Sequence, residues 1–108
     1  METEKINIFN FVKMNIPINE VAKKYCKKKE YTYREYIIFD CPNCPNQIGD
    51  IFINPDKNIF HCKWCKSGGD VITLMEKIKN ISPLDSVKFL IKEFSLQVPK
   101  ELKGNYGI

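Results

Sequence analysis

Apolar residues recur at two different spacings along this chain, and each change of spacing marks a change of element. In "IPINEVAKKY", Ile18, Val21, Ala22 and Tyr25 stand at i, i+3, i+4 and i+7. That spacing predicts a short amphipathic helix, with Pro17 suited to its first turn. Before it, "EKINIFNFVKM" carries Ile6, Phe9 and Val12 or Lys13 near helical spacing and predicts a weaker helix. "REYIIFD" is β-rich, and "DIFINPDKNIFHC" reads as two strands around a Pro55-Asp56-Lys57-Asn58 turn. Helical spacing returns in "DVITLMEKIKN", where Val71, Met75 and Ile78 form one stripe and Asp70 meets the helix N-terminus. Gly68 and Gly69 permit the sharp turn into it. "SPLDSVKFLIKEF" predicts a further helix, with Ser82 as N-cap, Pro83 in the first turn and Asp85 three residues after the cap. Its buried face is Leu84, Val87, Leu90, Ile91 and Phe94. The tail "QVPKELKGNYGI" lacks periodicity and is expected to be a linker or free end.

At 108 residues the chain fits one compact domain. Apolar residues at 44% and charged residues at 28% are ordinary for a globular protein, which sets disorder aside. Apolar runs such as "YIIF" are far too short to span a bilayer. "METEKINIFNF" has no basic region followed by an apolar core, so no secretory signal is expected and a cytoplasmic location is the default. Seventeen Lys and Arg against thirteen Asp and Glu give a formal charge of +4, a mild bias towards polyanions. Sixteen of the seventeen are lysine, a skew that an AT-rich coding sequence also produces, so charge alone decides little. The run "KKYCKKKEY" reads first as a solvated helix face and second as a phosphate contact.

The cysteines change the picture. Four of the five form two Cys-x2-Cys pairs, Cys41/Cys44 and Cys62/Cys65, with seventeen residues between Cys44 and Cys62. Two residues between thiolates let a tight knuckle present both sulfurs to one ion, and two knuckles complete the tetrahedron of a structural zinc site. The competing reading is a redox or iron site, since "CPNC" alone matches a Cys-Pro-x-Cys redox motif. That chemistry wants its first cysteine at a helix N-terminus, whereas Pro45 and Gly49 argue for a loop. His61, the only histidine, would be a fifth ligand and is expected instead to pack or hydrogen-bond around the metal. Cys26 reads as a small, partly buried apolar residue. The expected fold is α+β: a small zinc ribbon, an antiparallel sheet carrying the four-cysteine site, flanked by N-terminal and C-terminal helices.

The succession "IPINEVAKKY", "YIIFDCPNC", "IFINPDKNIFHCKWCKSGGDVITLM" and "SPLDSVKFLIKEF" resembles the N-terminal zinc-binding domain of DnaG-type DNA primases, the CHC2 zinc finger. The resemblance runs from about Pro17 to Phe94 and includes the spacer, the His before the third ligand and the Gly-Gly-Asp after the fourth. It implies an organisation of an N-terminal helical extension (1–15), a CHC2-like ribbon with flanking helices (16–96) and a C-terminal tail (97–108). One departure is that the family's second ligand is His, whereas this chain has Cys44, which suggests a divergent lineage such as a phage, plasmid or other mobile element. Four thiolates bind zinc firmly, so one Zn2+ is expected. The resemblance further implies that the ribbon binds single-stranded template DNA while a separate catalytic domain makes the primer; this chain would not be an enzyme by itself. Expected partners are single-stranded DNA and a primase catalytic domain, polymerase or replicative helicase. The candidate DNA contacts are Arg34, Lys57, Lys63, Trp64 and Lys66, with Phe52 or Phe60 as further stacking surfaces unless the core claims them. The alternative is a zinc-ribbon adaptor that binds a protein or duplex DNA on the same scaffold.

Overall fold

The computed structural model describes residues 7–45, 48–104, 106 and 108, and only the backbone of Glu30. Two helices open the chain, α1 (Ile8–Asn15) and α2 (Ile18–Tyr25). A five-stranded antiparallel meander follows: β1 (Lys28–Tyr33), β2 (Tyr36–Asp40), β3 (Asp50–Asn54), β4 (Ile59–Cys62) and β5 (Gly68–Gly69), paired in that order. Helices α3 (Val71–Lys79), α4 (Pro83–Glu93) and the single-turn α5 (Lys100–Lys103) complete it. The fold is α+β, as the pattern predicts.

Local sequence explains most boundaries. The Asn7 side chain accepts from the Asn10 amide and starts α1, so the stripe it buries is Ile8 and Val12. Of the Ile6, Phe9 and Val12 or Lys13 spacing read from the sequence, Val12 is buried, Phe9 is half-buried and Ile6 lies outside the described residues, while Ile8 was not singled out. Helix α2 buries Ile18, Val21 and Ala22, with Pro17 as its N-cap. Asp70 caps α3 by accepting from the Ile72 and Thr73 amides, and Ser82 caps α4 by accepting from the Asp85 amide with Pro83 behind it.

One face of the sheet is the core face. Phe39, Ile51, Ile53, Phe60 and Cys62 turn inwards and join Ile8, Val12, Val21, Leu74, Met75, Val87 and Leu90 in a single apolar cluster. The "KKYCKKKEY" run is not one helical face: α2 ends at Tyr25 and Lys28 opens β1. Leu96 and, from the tail, Val98, Leu102, Tyr106 and Ile108 pack against the core, which the missing periodicity conceals.

Asn58 joins the helices to the sheet. It closes the turn between β3 and β4 with a left-handed φ of 59°, a conformation Asn tolerates well. Its Oδ1 accepts from the Ile18 amide at 2.8 Å. Its Nδ2 donates to the Lys13 and Ile16 carbonyls at 3.1 and 3.0 Å. One carboxamide thereby fixes the α1–α2 junction to the hairpin tip.

Candidate metal centre and nucleic-acid face

The meander brings the two knuckles to one end of the sheet. Cys41 follows β2, Cys62 ends β4, and Cys44 and Cys65 close the turns after them. The turns are pinned by the main chain: the Cys41 amide donates to the Gly49 carbonyl at 2.9 Å, and the Cys62 amide donates to the Ser67 carbonyl at 2.8 Å. The four sulfurs lie within 4.8 Å of one another, and Cys41–Cys65 and Cys44–Cys62 are each separated by 3.7 Å. A tetrahedral ion with Zn–S bonds of about 2.3 Å requires sulfurs about 3.8 Å apart. The donor set therefore fits one Zn2+. Four thiols, buried or half-buried, supply all the corners of a tetrahedron, which makes this a closed structural site rather than a catalytic one.

Gly49 makes this packing possible. A Cβ there would overlap Cys44 Sγ and stand 3.2 Å from Cys62 Sγ. In the sequence this glycine is legible only as loop punctuation. The thiols also differ in acidity. Burial pushes Cys41 far up and Cys44 up to about 11. At Cys65 burial also pushes upwards, but hydrogen bonds involving Ser67 and Asn43 outweigh it and bring the thiol down to about 6. Ser67 Oγ lies 3.1 Å from Cys65 Sγ and accepts from the Asn43 side-chain amide at 3.2 Å, so a chain of two polar side chains supports one sulfur. Sequence reasoning missed both residues, since Ser and Asn in a loop carry no metal signal of their own.

His61 is placed elsewhere. Side chains alternate along β4: Phe60 and Cys62 are buried, Ile59 and His61 exposed. The imidazole therefore leaves β4 on the face opposite to Cys62. His61 is register partner to Phe52, which pairs with Ile38, so these three share the outer face.

That face is aromatic and basic. Phe52 meets Tyr33 and Tyr36 edge to face, with centroids 6.3 and 6.0 Å apart. The Lys63 ammonium lies 5.6 Å from the Phe52 ring and the Arg34 guanidinium 5.2 Å from the Tyr33 ring. Of the candidate DNA contacts, Arg34 and Lys63 line one recess here together with His61. Lys57 sits at the hairpin tip, and Trp64 (65% exposed) and Lys66 sit on the second knuckle, outside that recess. Phe60 belongs to the core and Phe52 to the outer face. Tyr33 and Tyr36, paired across the β1–β2 turn, join this face without having been singled out from the sequence.

The CHC2 zinc finger family profile matches residues 4–106. The chain belongs to the CHC2 zinc-finger family. Its CHC2 relatives include the DNA primase of Staphylococcus aureus (strain COL), 34% identical over 84 residues, which are 78% of this chain and 14% of that protein. The DNA primase of Staphylococcus epidermidis is 30% identical over 92 residues, 85% of this chain and 15% of that one. The DNA primase of Halalkalibacterium halodurans is 26% identical over 91 residues, 84% of this chain and 15% of its own. The chain thus spans about 15% of the length of these relatives. The fold matches the crystal structure of the Aquifex aeolicus primase (zinc-binding and RNA polymerase domains) with a TM-score of 0.73 at 23% identity, over 90% of this chain and 24% of that one. No helix among the described residues is long and apolar enough to cross a membrane.

Proposed function

We propose that this CHC2 ribbon is a single-stranded DNA-binding module of a DnaG-type primase or a primase-associated replication protein, positioning template for a separate catalytic domain. The observation that carries the reading is the outer sheet face, where Tyr33, Tyr36 and Phe52 are flanked by Arg34 and Lys63. Aromatic rings offer stacking surface to any base, and the cations neutralise phosphates. The zinc holds β2, β4 and their knuckles in register and takes no part in chemistry. Primer synthesis belongs to a domain outside this chain.

Lys57, Trp64 and Lys66 extend the same reading towards the hairpin tip and second knuckle. A surface this small releases few counterions, so binding is expected to be micromolar or weaker unless a partner domain adds contacts. Fluorescence anisotropy of a labelled oligonucleotide at two salt concentrations tests it. Trp64→Ala should weaken binding by roughly 1 to 3 kcal/mol where it stacks a base, with zinc content unchanged. Lys63→Ala and Lys66→Ala should flatten the salt dependence. Salt-insensitive or absent binding by the zinc-loaded wild type would remove the reading. A protein-binding adaptor would then take its place, resting on exposed Ile48 and Trp64 beside the knuckles.

A further inference from the structure

The outer face is not a flat platform. It holds a recess of about 360 Å³, whose walls include Tyr33, Tyr36, Phe52 and His61. That volume lies at the small end of ligand sites and suits one nucleotide rather than a run of bases. Arg34 and Lys63 also line it, each parked over a ring, and among the described residues neither forms an ion pair. Arg34 adopts φ 55° in the two-residue turn between β1 and β2, a left-handed position that a glycine or asparagine would occupy with less strain. A strained arginine with its guanidinium on the recess wall is better explained by its side chain than by the turn.

Glu35 lines the same recess. A carboxylate is out of place in a seat meant for phosphate alone, because it repels the anion. It is an acceptor-only group, and the base edge it matches is one that presents an exocyclic amino group. Thymine offers a single N–H set between two carbonyl oxygens, which repel the carboxylate. Cytosine offers its N4 amino group at the edge of the ring.

We propose that this recess seats one unstacked nucleotide, with Glu35 as a specificity-determining residue that favours amino-bearing bases over thymine. This rests on the single-stranded DNA reading above and sharpens it. The same chemistry, a nucleobase with its phosphate, is offered by a nucleotide in a strand and by a free nucleotide.

The test uses the zinc-loaded chain with labelled oligo(dC) and oligo(dT) at fixed salt. The wild type should bind oligo(dC) roughly tenfold more tightly than oligo(dT), in line with one charge-assisted base contact. Glu35→Gln should bring the two affinities together, and Glu35→Asp should keep part of the preference. The ratio is the readout, because removing a negative charge strengthens binding to both strands. Tyr36→Ala should weaken both without changing zinc content. Displacement of oligo(dC) by free deoxycytidine monophosphate would support the proposal with a single nucleotide as ligand. A Glu35-dependent preference without such displacement would support it with a nucleotide held in a strand. Equal wild-type affinities for the two strands, or a preference that survives Glu35→Gln, would overturn the proposal while leaving strand binding intact. No salt-sensitive binding to either strand would overturn the parent reading as well.

Discussion

A methyl group at position 49 has nowhere to go except into the sulfur cluster, since it would meet Cys44 Sγ and approach Cys62 Sγ. Gly49→Ala is therefore expected to lower zinc affinity by roughly 10- to 100-fold, the range seen when support around a metal is disturbed. A competition titration with a chromophoric chelator measures this. His61→Ala, one residue before a ligand but on the other sheet face, should leave zinc stoichiometry intact, whereas Cys62→Ala should lose metal or fold; mass spectrometry under native conditions separates them. Cys26 gives a third expectation. Burial moves its thiol from 9.0 to about 11, with Asp40 adding to the shift. A raised acid contributes stability that is complete below its ordinary value and lost as pH climbs through about 11. In the zinc-loaded protein, iodoacetamide at pH 8 should thus modify Cys26 more slowly than a free thiol, with the rate rising towards pH 11. Rapid labelling at pH 8 would contradict that burial.

Among the elements, the β3–β4 turn does more than reverse the chain. Asn58 makes three hydrogen bonds to the α1–α2 junction, and replacing it removes all three while leaving the Ile18 amide and two carbonyls unsatisfied. Asn58→Gly keeps the left-handed backbone and isolates the side chain; about 2 to 3 kcal/mol of stability should be lost, read as a fall in denaturant midpoint at unchanged slope. The turn itself was legible from Pro55 to Asn58, but this clamp was not, because its partners are 40 to 45 residues away in sequence. Helices α2, α3 and α4 were legible for the opposite reason: their apolar stripes and the Asp70 and Ser82 caps are local. Strand β1 was hidden by its lysines. With no Gly, Pro or Asn between Tyr25 and Tyr33, the chain shows no break. The charge of Lys29 is in fact spent on Asp40 at 2.6 Å and Asp50 at 3.5 Å across the sheet.

For the molecule as a whole, bound zinc should be a leading contributor to stability. Apparent binding energies of about 10 to 16 kcal/mol for structural zinc match or exceed the roughly 5 to 15 kcal/mol net stability of an ordinary domain. Chelation should accordingly unfold the ribbon, seen as loss of near-ultraviolet circular dichroism and of a cooperative melting transition, and added Zn2+ should restore both. The four ligands were readable from spacing alone because metal geometry imposes that spacing. The aromatic outer face was only half readable: Phe52 lies within the apolar run Ile51–Ile53 and Phe60 beside Ile59, and burial rather than sequence decides which of them faces out.

The hairpin of β3 and β4 is held at one end by sulfur and at the other by the Asn58 carboxamide. The β3–β4 pairing runs unbroken between those two ends. The amide of Ile18, bonded to that carboxamide, sits at the far end of the strands from the cysteines and touches none of them. If removal of zinc unfolds the ribbon, that amide should exchange slowly with deuterated solvent while the ion is held and quickly once it is chelated, a readout remote from the sulfurs.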